Sequence, residues 1–499
     1  MSKQVDTTGS PRNLASVIGL LALSAVVAVS GTAKAEAIDL SKPRGAGNAK
    51  GSYTVVVGAE TYAMPPWREV VDALRQKYDG SLIVYSGAVG SAREALAVLA
   101  PRYACFVARP EEAGRMFVVS VHLLTRALDD DPYTDLLWGI LSGYEPEDAL
   151  RIAKRTEPLI IKRGLSATSG VGLGAFEEGI QFNESRAGGR WVKGPDGKVR
   201  EEEFPVDSTK GIVDALVDFK PQAFYTSGHA GERDWYIGYT YADGGFTCKD
   251  GQLLAKDTKG VVYEINSPNP KVFMPVGNCS IGHIPGERDC MALAMMRTGG
   301  AYQMFGYTAS TFFGYMGWGI NAYFSRYTLA ESFYCNNQAL VHALAGKYPD
   351  AAGISFASYE EAGVKKVKEK VTSDEEFCML WDRDIVAFYG DPAWEARYPP
   401  HAGNWDYSLT REDGVYTLKV GVNADGDWSS RPLMIFLPER IRNVEVTGGE
   451  ELKPVVTDNF VLLPLQGQRR KGEEISIEFK ADPVAPRNTS AKAAPIKVN

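Results

Sequence analysis

Short apolar runs alternate with segments of helical spacing from residue 53 to about residue 390 of this 499-residue chain. Runs such as 53–58 and 81–85 are typical of buried strands, and the stretch 67–78 between them carries apolar residues at helical spacing. A strand, helix, strand succession folds as a mostly parallel sheet because each helix returns the chain to the starting end of the sheet. The sequence therefore predicts an α/β fold, a doubly wound, mostly parallel sheet with helices on both faces.

The pattern changes after Pro399, where short strands follow one another with turn residues between them. This spacing predicts a small antiparallel β-sandwich over 399–482. We divide the preceding part into an N-terminal α/β subdomain, 53–157, and a second α/β domain, 158–398, which would carry the catalytic site. The Gly-rich polar stretch 188–205 within it predicts a surface hairpin or excursion. The remainder, 483–499, is rich in Ala, Pro, Lys and Ser, which is typical of a disordered tail.

The first 35 residues have the pattern of an export signal. An uncharged stretch, 14–29, follows two basic residues, and Ala33-Lys34-Ala35 supplies the small residues that a signal peptidase needs. We expect cleavage there, which leaves 36–52 as a linker and places the protein in the periplasm, on the cell surface or outside the cell. The alternative is an uncleaved anchor, although the apolar core is short for a membrane span.

The charge balance argues against a nucleic-acid partner. The chain has 54 Lys and Arg against 62 Asp and Glu, so no general basic footprint is present. The later uncharged stretch, 298–325, is interrupted by glycines and hydroxyl side chains, which favours a core strand followed by a loop that lines a site. We therefore expect no nucleic acid partner and no integral membrane span once the signal is removed.

Two apolar runs each end in a reactive side chain. The run 223–229 ends in His229, and the run 272–279 ends in Cys279. Neighbouring parallel strands bring such ends together in the crevice at the carboxyl edge of a sheet. A thiol and an imidazole in that crevice predict a cysteine hydrolase, with Cys279 as nucleophile and His229 as general acid and base. The backbone N–H groups of Ala230 and Cys279 are the expected donors to the oxyanion.

Six cysteines leave other interpretations of Cys279 open. In an exported protein an even number permits disulfides, so pairing of Cys279 with Cys290 is one alternative. A metal site built from Cys279, His229 and His283 is another, but no carboxylate lies at a spacing that completes it. No Cys-x-x-Cys pair occurs either, and we predict no metal in the site.

The same segments resemble the caspase, legumain and gingipain clan of cysteine peptidases. Thr226-Ser227-Gly228-His229 is similar to the clan's hydrophobic-Ser/Thr-x-His-Gly block, and 277–282 is similar to its Ala/Gly-Cys-x-Gly block. Ala309-Ser310-Thr311 and Gly390-Asp391-Pro392 resemble segments of the gingipain branch. The resemblance implies a caspase-like fold followed by an immunoglobulin-like sandwich. It also implies an exported endopeptidase that cleaves protein or peptide substrates through a Cys–His dyad and a thioester acyl-enzyme.

The resemblance also implies a substrate pocket, and this sequence departs from the clan's pattern at two positions near the site. The loop after Ser310, including Trp318, should wall the pocket, while the acidic residue that gingipains place under a basic substrate side chain matches no definite position. Ala230 stands where the clan has Gly, and Asn278 is atypical before the nucleophile. A catalytically weak or inactive homologue acting as a surface or assembly protein is therefore the alternative function. The dyad requires no cofactor, and structural calcium is left open.

Overall fold

The computed structural model describes residues 49–351, 353–356, 358, 360–484 and 492–498. The predicted signal peptide, 1–35, and most of the predicted linker, 36–52, lie outside the described residues. Within the described part of the chain, no helix combines the length and apolar character that crossing a bilayer requires.

The first part of the chain alternates strands and helices, as its apolar periodicity predicts. The strands are buried along their whole length, because each is a short continuous apolar run. They are β1 (Tyr53–Gly58), β2 (Ser81–Tyr85), β3 (Tyr103–Val107) and β4 (Leu137–Leu141). The helices are α1 (Ala59–Ala63), α2 (Pro65–Tyr78), α3 (Arg93–Leu99), α4 (Arg115–Thr125) and α5 (Pro146–Ala153).

The second part continues the same sheet and adds small antiparallel excursions. Its strands are β5 (Leu159–Ile160), β6 (Arg163–Ala167), β7 (Glu178–Phe182), β8 (Gly189–Lys193), β9 (Val199–Glu203), β10 (Ala223–Thr226), β11 (Asp234–Tyr236), β12 (Gly245–Lys249), β13 (Gln252–Lys256), β14 (Val262–Ile265), β15 (Lys271–Pro275), β16 (Ala301–Tyr307), β17 (Val386–Gly390) and β18 (Ala396–Arg397). Its helices are α6 (Thr209–Asp214), α7 (Met291–Arg297), α8 (Tyr315–Gly319), α9 (Asn321–Phe324), α10 (Leu329–Lys347), α11 (Glu361–Lys368) and α12 (Asp374–Ile385).

Apart from the short 3₁₀ helix Glu450–Leu452, the last part is built from strands, as the change of period after Pro399 predicts. They are β19 (Trp405–Glu412), β20 (Val415–Val422), β21 (Gly426–Asp427), β22 (Leu433–Phe436), β23 (Ile441–Gly448), β24 (Val455–Val456), β25 (Phe460–Leu463), β26 (Gln468–Arg469), β27 (Glu474–Pro483) and β28 (Ile496–Val498). The antiparallel sheets β19-β20-β27-β23 and β22-β25-β24 share a separate hydrophobic core that includes Leu418, Ile435, Val461 and Ile477.

One large sheet organises the described part of the chain. Its thirteen strands follow the order β28-β2-β1-β3-β4-β17-β16-β15-β10-β6-β7-β8-β9. Neighbouring strands are parallel except at β16–β17, β7–β8 and β8–β9. The predicted mostly parallel α/β sheet is confirmed, and β8 with β9 forms the hairpin expected within 188–205. The four-stranded antiparallel sheet β11-β12-β13-β14, which lies between the His and Cys segments in sequence, was not predicted.

The C-terminal residues differ from the prediction. The disordered tail expected over 483–499 is wrong for Ile496–Val498, which pairs in parallel with β2. The backbone N–H of Ser86 also donates to the carbonyl of Val498 at 3.0 Å. The physical reason is that β2 pairs with β1 on only one side, and an added strand satisfies the backbone groups along its other edge.

Candidate active site

The sheet brings the predicted histidine and cysteine segments to the same edge. Strands β10 and β15 are parallel neighbours, with Ala223 opposite Val272 and Thr226 opposite Pro275. Beyond the last pair, the N–H of Val276 still donates to the carbonyl of Thr226 at 2.9 Å. Since both strands run in the same direction and end at the same level, His229 and Cys279 emerge on neighbouring loops of the carboxyl edge.

Asn278 joins these two loops. Its side chain is completely buried, and its Oδ1 accepts a hydrogen bond from Thr226 Oγ1 at 2.7 Å. Its Nδ2 donates to the carbonyl of Gly228 at 3.0 Å. The residue directly before the cysteine is therefore hydrogen-bonded to the residue directly before the histidine. The departure from the clan's pattern at this position has a definite structural role, because the amide holds the two loops together.

Cys279 is the cysteine placed at this edge. Its thiol is partly exposed, and Sγ accepts a hydrogen bond from the backbone N–H of Thr311 at 3.4 Å. All six cysteines are free thiols, so the alternative pairing of Cys279 with Cys290 is not formed. Burial raises the pKa of the Cys290 thiol to about 12, which makes that residue a poor nucleophile.

His229 lies on the solvent side of the site. Its imidazole is exposed and stacks on the ring of Tyr239, with centroids 5.1 Å apart and planes 29° from parallel. The left-handed backbone of the turn is at Gly228, where φ is +91°. Ala230 has no positive φ and forms an isolated antiparallel bridge with Trp235. Alanine at this position is therefore compatible with the turn, because the glycine that the turn needs precedes the histidine.

The two expected oxyanion donors are available. Among the described residues, the backbone N–H groups of Ala230 and Cys279 donate to no other protein group. The neighbouring N–H of Gly231 is already used, since it donates to the carbonyl of Asp234 at 2.9 Å. The pairing within this turn therefore uses the N–H of Gly231 and leaves that of Ala230 without a partner among the described residues.

The acidic residues after His229 contact other groups. The carboxylate of Glu232 lies 2.8 Å from Nδ1 of His283, and burial lowers the pKa of that imidazole despite the nearby carboxylate. No described residue forms a hydrogen bond with the ring of His229. Glu232 therefore orients His283, and the carboxyl group of Asp234 does not hydrogen-bond His229 either.

The predicted pocket residues lie on one segment beside the cysteine, with Ser310 in the turn after β16 and Trp318 on α8. Trp318 is 41% exposed, and its indole ring packs against Gly170 and Gly277. A Cβ on Gly277 would lie 3.3 Å from the ring, and a Cβ on Gly170 would clash with it. Ser310 is exposed, and its carbonyl accepts a hydrogen bond from Trp381 Nε1 at 2.7 Å. The loop that carries Ser310 and Trp318 is also the loop whose Thr311 N–H contacts the thiol.

Glu184 is a buried carboxylate at this edge that the sequence did not reveal. It is 8% exposed and accepts hydrogen bonds from Ser169 N at 2.6 Å, Ser169 Oγ at 2.9 Å and Ser227 Oγ at 3.2 Å. It therefore ties the loop after β6 to the residue two positions before His229. Its partners are distant in sequence, so no local pattern marks it.

A second group of carboxylates lies away from the thiol and could hold a cation. Carboxylate oxygens of Asp129, Asp135 and Asp458 lie within 4.8 Å of one another. Among the described residues, no other group of three His, Cys, Asp or Glu side chains lies this close together. Asp135 is buried, and its Oδ2 has no hydrogen-bond partner. Burial and the neighbouring carboxylates raise the pKa of Asp135 to about 9, while Arg440 forms an ion pair with Asp458. This all-oxygen donor set fits a hard divalent cation such as calcium.

Comparisons with known proteins give little beyond this geometry. No family model matches the sequence, and no curated protein matches it. Two solved structures match the chain. The Arg specific cysteine proteinase gingipain R aligns at 11% identity with a TM-score of 0.35, over 84% of this chain and 92% of that chain. A structure of a protease aligns at 11% identity with a TM-score of 0.36, over 89% of this chain and 98% of that chain. Similarity at this level carries no argument about activity, which rests on the site itself.

Proposed function

We propose that this protein is an exported cysteine endopeptidase with a caspase-like, gingipain-like catalytic domain. The observation that carries the proposal is the buried Asn278 bridge, which holds the segment of a partly exposed thiol against the segment of a histidine at the carboxyl edge of the sheet. Cys279 is the nucleophile and His229 is the general acid and base. The substrate is a protein or peptide.

The chemistry follows from the two groups and the free backbone donors. His229 removes the proton of the Cys279 thiol, and the thiolate attacks the carbonyl carbon of the scissile bond. His229 then gives the proton to the leaving amine as the C–N bond breaks and a thioester forms. Water, deprotonated by His229, hydrolyses the thioester and restores the thiol. The N–H groups of Ala230 and Cys279 stabilise the oxyanion in both steps, each contributing about 3–4 kcal/mol to the barrier reduction.

Tyr239 takes the place of an orienting carboxylate in this proposal. The imidazole of His229 stacks on its ring, and no described residue hydrogen-bonds the imidazole. Stacking restricts the plane of the ring while leaving both nitrogens available for proton transfer. The site is therefore a dyad, and substrate side chains contact Ser310 and Trp318 on the neighbouring loop.

An inactive homologue that acts as a surface or assembly protein is the second candidate. The exposure of His229 and its lack of a described hydrogen-bond partner favour it, because a catalytic base is usually held by a third group. The two functions differ in whether the thiol of Cys279 reacts selectively.

A thiol-reactive peptide probe separates the two. For the peptidase we expect labelling at Cys279, lost in Cys279→Ala and strongly reduced in His229→Ala. Cys378→Ala is the matched control, because Cys378 is the other partly exposed thiol and lies on α12. Labelling of the folded protein that ignores His229, or that favours Cys378, would support the non-catalytic alternative.

Export and calcium binding also belong to this proposal. Export rests on the pattern of residues 1–35, and the N-terminal residue of the mature protein, determined by mass spectrometry, tests it. Calcium would bind Asp129, Asp135 and Asp458, where it would satisfy the unpartnered Oδ2 of Asp135 and link the loop before β4 to the loop before β25. Its role there would be structural, because it would join two loops of the chain.

A further inference from the structure

The segment 310–319, here called the pocket loop, comprises the turn after β16 together with the short helix α8, and buried side chains hold it just before Trp318. Met316 N–H donates to Asp382 Oδ2 at 3.2 Å, and Gly317 N–H donates to the hydroxyl of Tyr307 at 2.9 Å. The carbonyls of Tyr315 and Met316 accept hydrogen bonds from Asn336 Nδ2 at 3.2 and 3.1 Å. The two successive N–H groups before Trp318, those of Met316 and Gly317, are therefore held by hydrogen bonds to buried side chains.

Asp382 is the unusual member of this set. It is completely buried on α12, and its Oδ2 also accepts a hydrogen bond from the Tyr307 hydroxyl at 3.3 Å. Its Oδ1 is buried without a hydrogen-bond partner, and no described cation forms an ion pair with it. Burying a carboxyl group in this way costs free energy, which its contacts with the pocket loop and Tyr307 only partly offset.

The held backbone places Trp318 against the segment that leads to Cys279. A Cβ on Gly317 would clash with the carbonyl of Val276, so the pocket loop is pressed against the end of the strand that leads to Cys279. Trp318 follows Gly317 directly and rests on Gly277. A displacement of Met316 and Gly317 would therefore carry the indole away from the thiol.

We propose that Asp382 is a positioning residue, which fixes the pocket loop through Met316 and thereby sets the place of Trp318 in substrate binding. This inference rests on the proposed peptidase function, because it assigns Trp318 to the substrate pocket. Asp382 does not touch the reacting atoms. Its loss should weaken substrate binding while leaving the chemistry of the thiol and imidazole nearly intact.

The protonation state of the Asp382 carboxyl group bears on the same positioning role. Burial raises the pKa of Asp382 to about 7, even though its contacts with Met316, Tyr315 and Tyr307 act in the opposite direction. The titratable groups that face it are the Tyr307 hydroxyl from β16 and the Cys378 thiol from its own helix, and burial keeps both neutral near pH 7. An ionised carboxylate accepts the Met316 N–H more strongly than a protonated one. Protection of this amide should therefore fall as the pH drops through 7.

Amide hydrogen exchange tests the positioning role without relying on activity. In Asp382→Ala, we expect exchange of the Met316 and Gly317 amides to rise by about tenfold. Glu376→Gln is the matched control, because Glu376 is a buried carboxylate on the same helix that accepts hydrogen bonds from Thr372 instead. Unchanged exchange in a folded Asp382→Ala variant would overturn the proposal, whether or not the protein cleaves peptides.

A second variant keeps the test valid if the alanine variant does not fold. Asp382→Asn retains an acceptor for Met316 but cannot titrate, so its exchange, corrected for the intrinsic rate, should not change between pH 6 and pH 8. The unmodified protein should lose protection toward pH 6. The same pH dependence in both proteins would overturn the proposal.

Kinetics complete the test once peptidase activity is measured. Asp382→Ala should raise KM by about tenfold with kcat within a few fold, because ground-state binding is what Trp318 supplies. Adding Trp318→Ala to this variant should cause no further loss. A fall in kcat with KM unchanged would contradict the positioning role.

Discussion

Replacing Asn278 by alanine removes both hydrogen bonds that hold the histidine segment against the cysteine segment. Thr226 is completely buried, so its hydroxyl loses an acceptor that water cannot replace. The carbonyl of Gly228 loses its donor as well. An unsatisfied buried polar group costs about 1–3 kcal/mol. With a small cavity added, we expect the free energy of unfolding to fall by about 2–4 kcal/mol.

The same substitution should reduce activity more than its stability cost explains. The turn at Gly228 and His229 loses its link to the cysteine loop, and a displacement of about 1 Å at a catalytic group can cost about a hundredfold in rate. We therefore expect kcat/KM to fall by about a hundredfold. Urea unfolding followed by tryptophan fluorescence gives the stability, and peptide cleavage below the unfolding temperature gives the rate.

Asn337→Ala is the matched control for this experiment. Asn337 is also buried, accepts a hydrogen bond from Thr134 Oγ1 at 3.4 Å and donates to the carbonyl of Arg383 at 3.3 Å, but it lies on α10. We expect a stability loss and nearly unchanged kcat/KM. If both variants lose activity alike, or if Asn278→Ala stays fully active, the bridge between the two segments does not organise catalysis.

Three further predictions follow from other parts of the structure. Gly170→Ala should raise KM severalfold in peptide cleavage, because the added Cβ would push Trp318 out of place. An unchanged KM would refute the assignment of Trp318 to the substrate pocket. Burial alone would raise the pKa of Asp384, but Arg126 and then Arg383 hold it below its usual range, so unfolding free energy should fall as the pH drops below about 4. Asp384→Asn should lower the free energy of unfolding by about 3–5 kcal/mol at pH 7, measured by urea unfolding. An unchanged free energy of unfolding would refute a stabilising role for the ion pairs of Asp384 with Arg126 and Arg383. Calcium at a hundred times its Kd should stabilise the protein by about 2.7 kcal/mol in thermal unfolding, and Asp135→Asn should abolish the effect. If calcium stabilised Asp135→Asn as much as the unsubstituted protein, calcium would have to bind elsewhere.

Local sequence patterns predicted the parts of the fold that depend on local periodicity. Strands such as Tyr53–Gly58 and Ala223–Thr226 are continuous apolar runs, and parallel pairing then places His229 and Cys279 at one edge. The antiparallel excursion after Asp234 escaped detection because its strands are short and only half-buried.

Features that depend on contacts between distant residues could not be predicted from the sequence. The buried carboxylates Glu184 and Asp382 have partners far along the chain, so their neighbours in sequence carry no sign of their roles. The strand Ile496–Val498 forms only because β2 offers it an edge. In the sequence, Asn278 stood out only as an atypical residue before the cysteine. Its two hydrogen bonds, to Thr226 and Gly228, become visible only in the folded chain.

Cleavage of a mixed peptide library, followed by mass spectrometry, tests the central claim most directly. The protein should cleave peptides at a defined set of bonds, and Cys279→Ala should slow this by roughly a thousandfold or more while unfolding at nearly the same urea concentration. Cleavage that persists in the Cys279→Ala variant would contradict the assignment of the nucleophile. A folded, unsubstituted protein that cleaves no peptide would contradict the proposed peptidase activity itself.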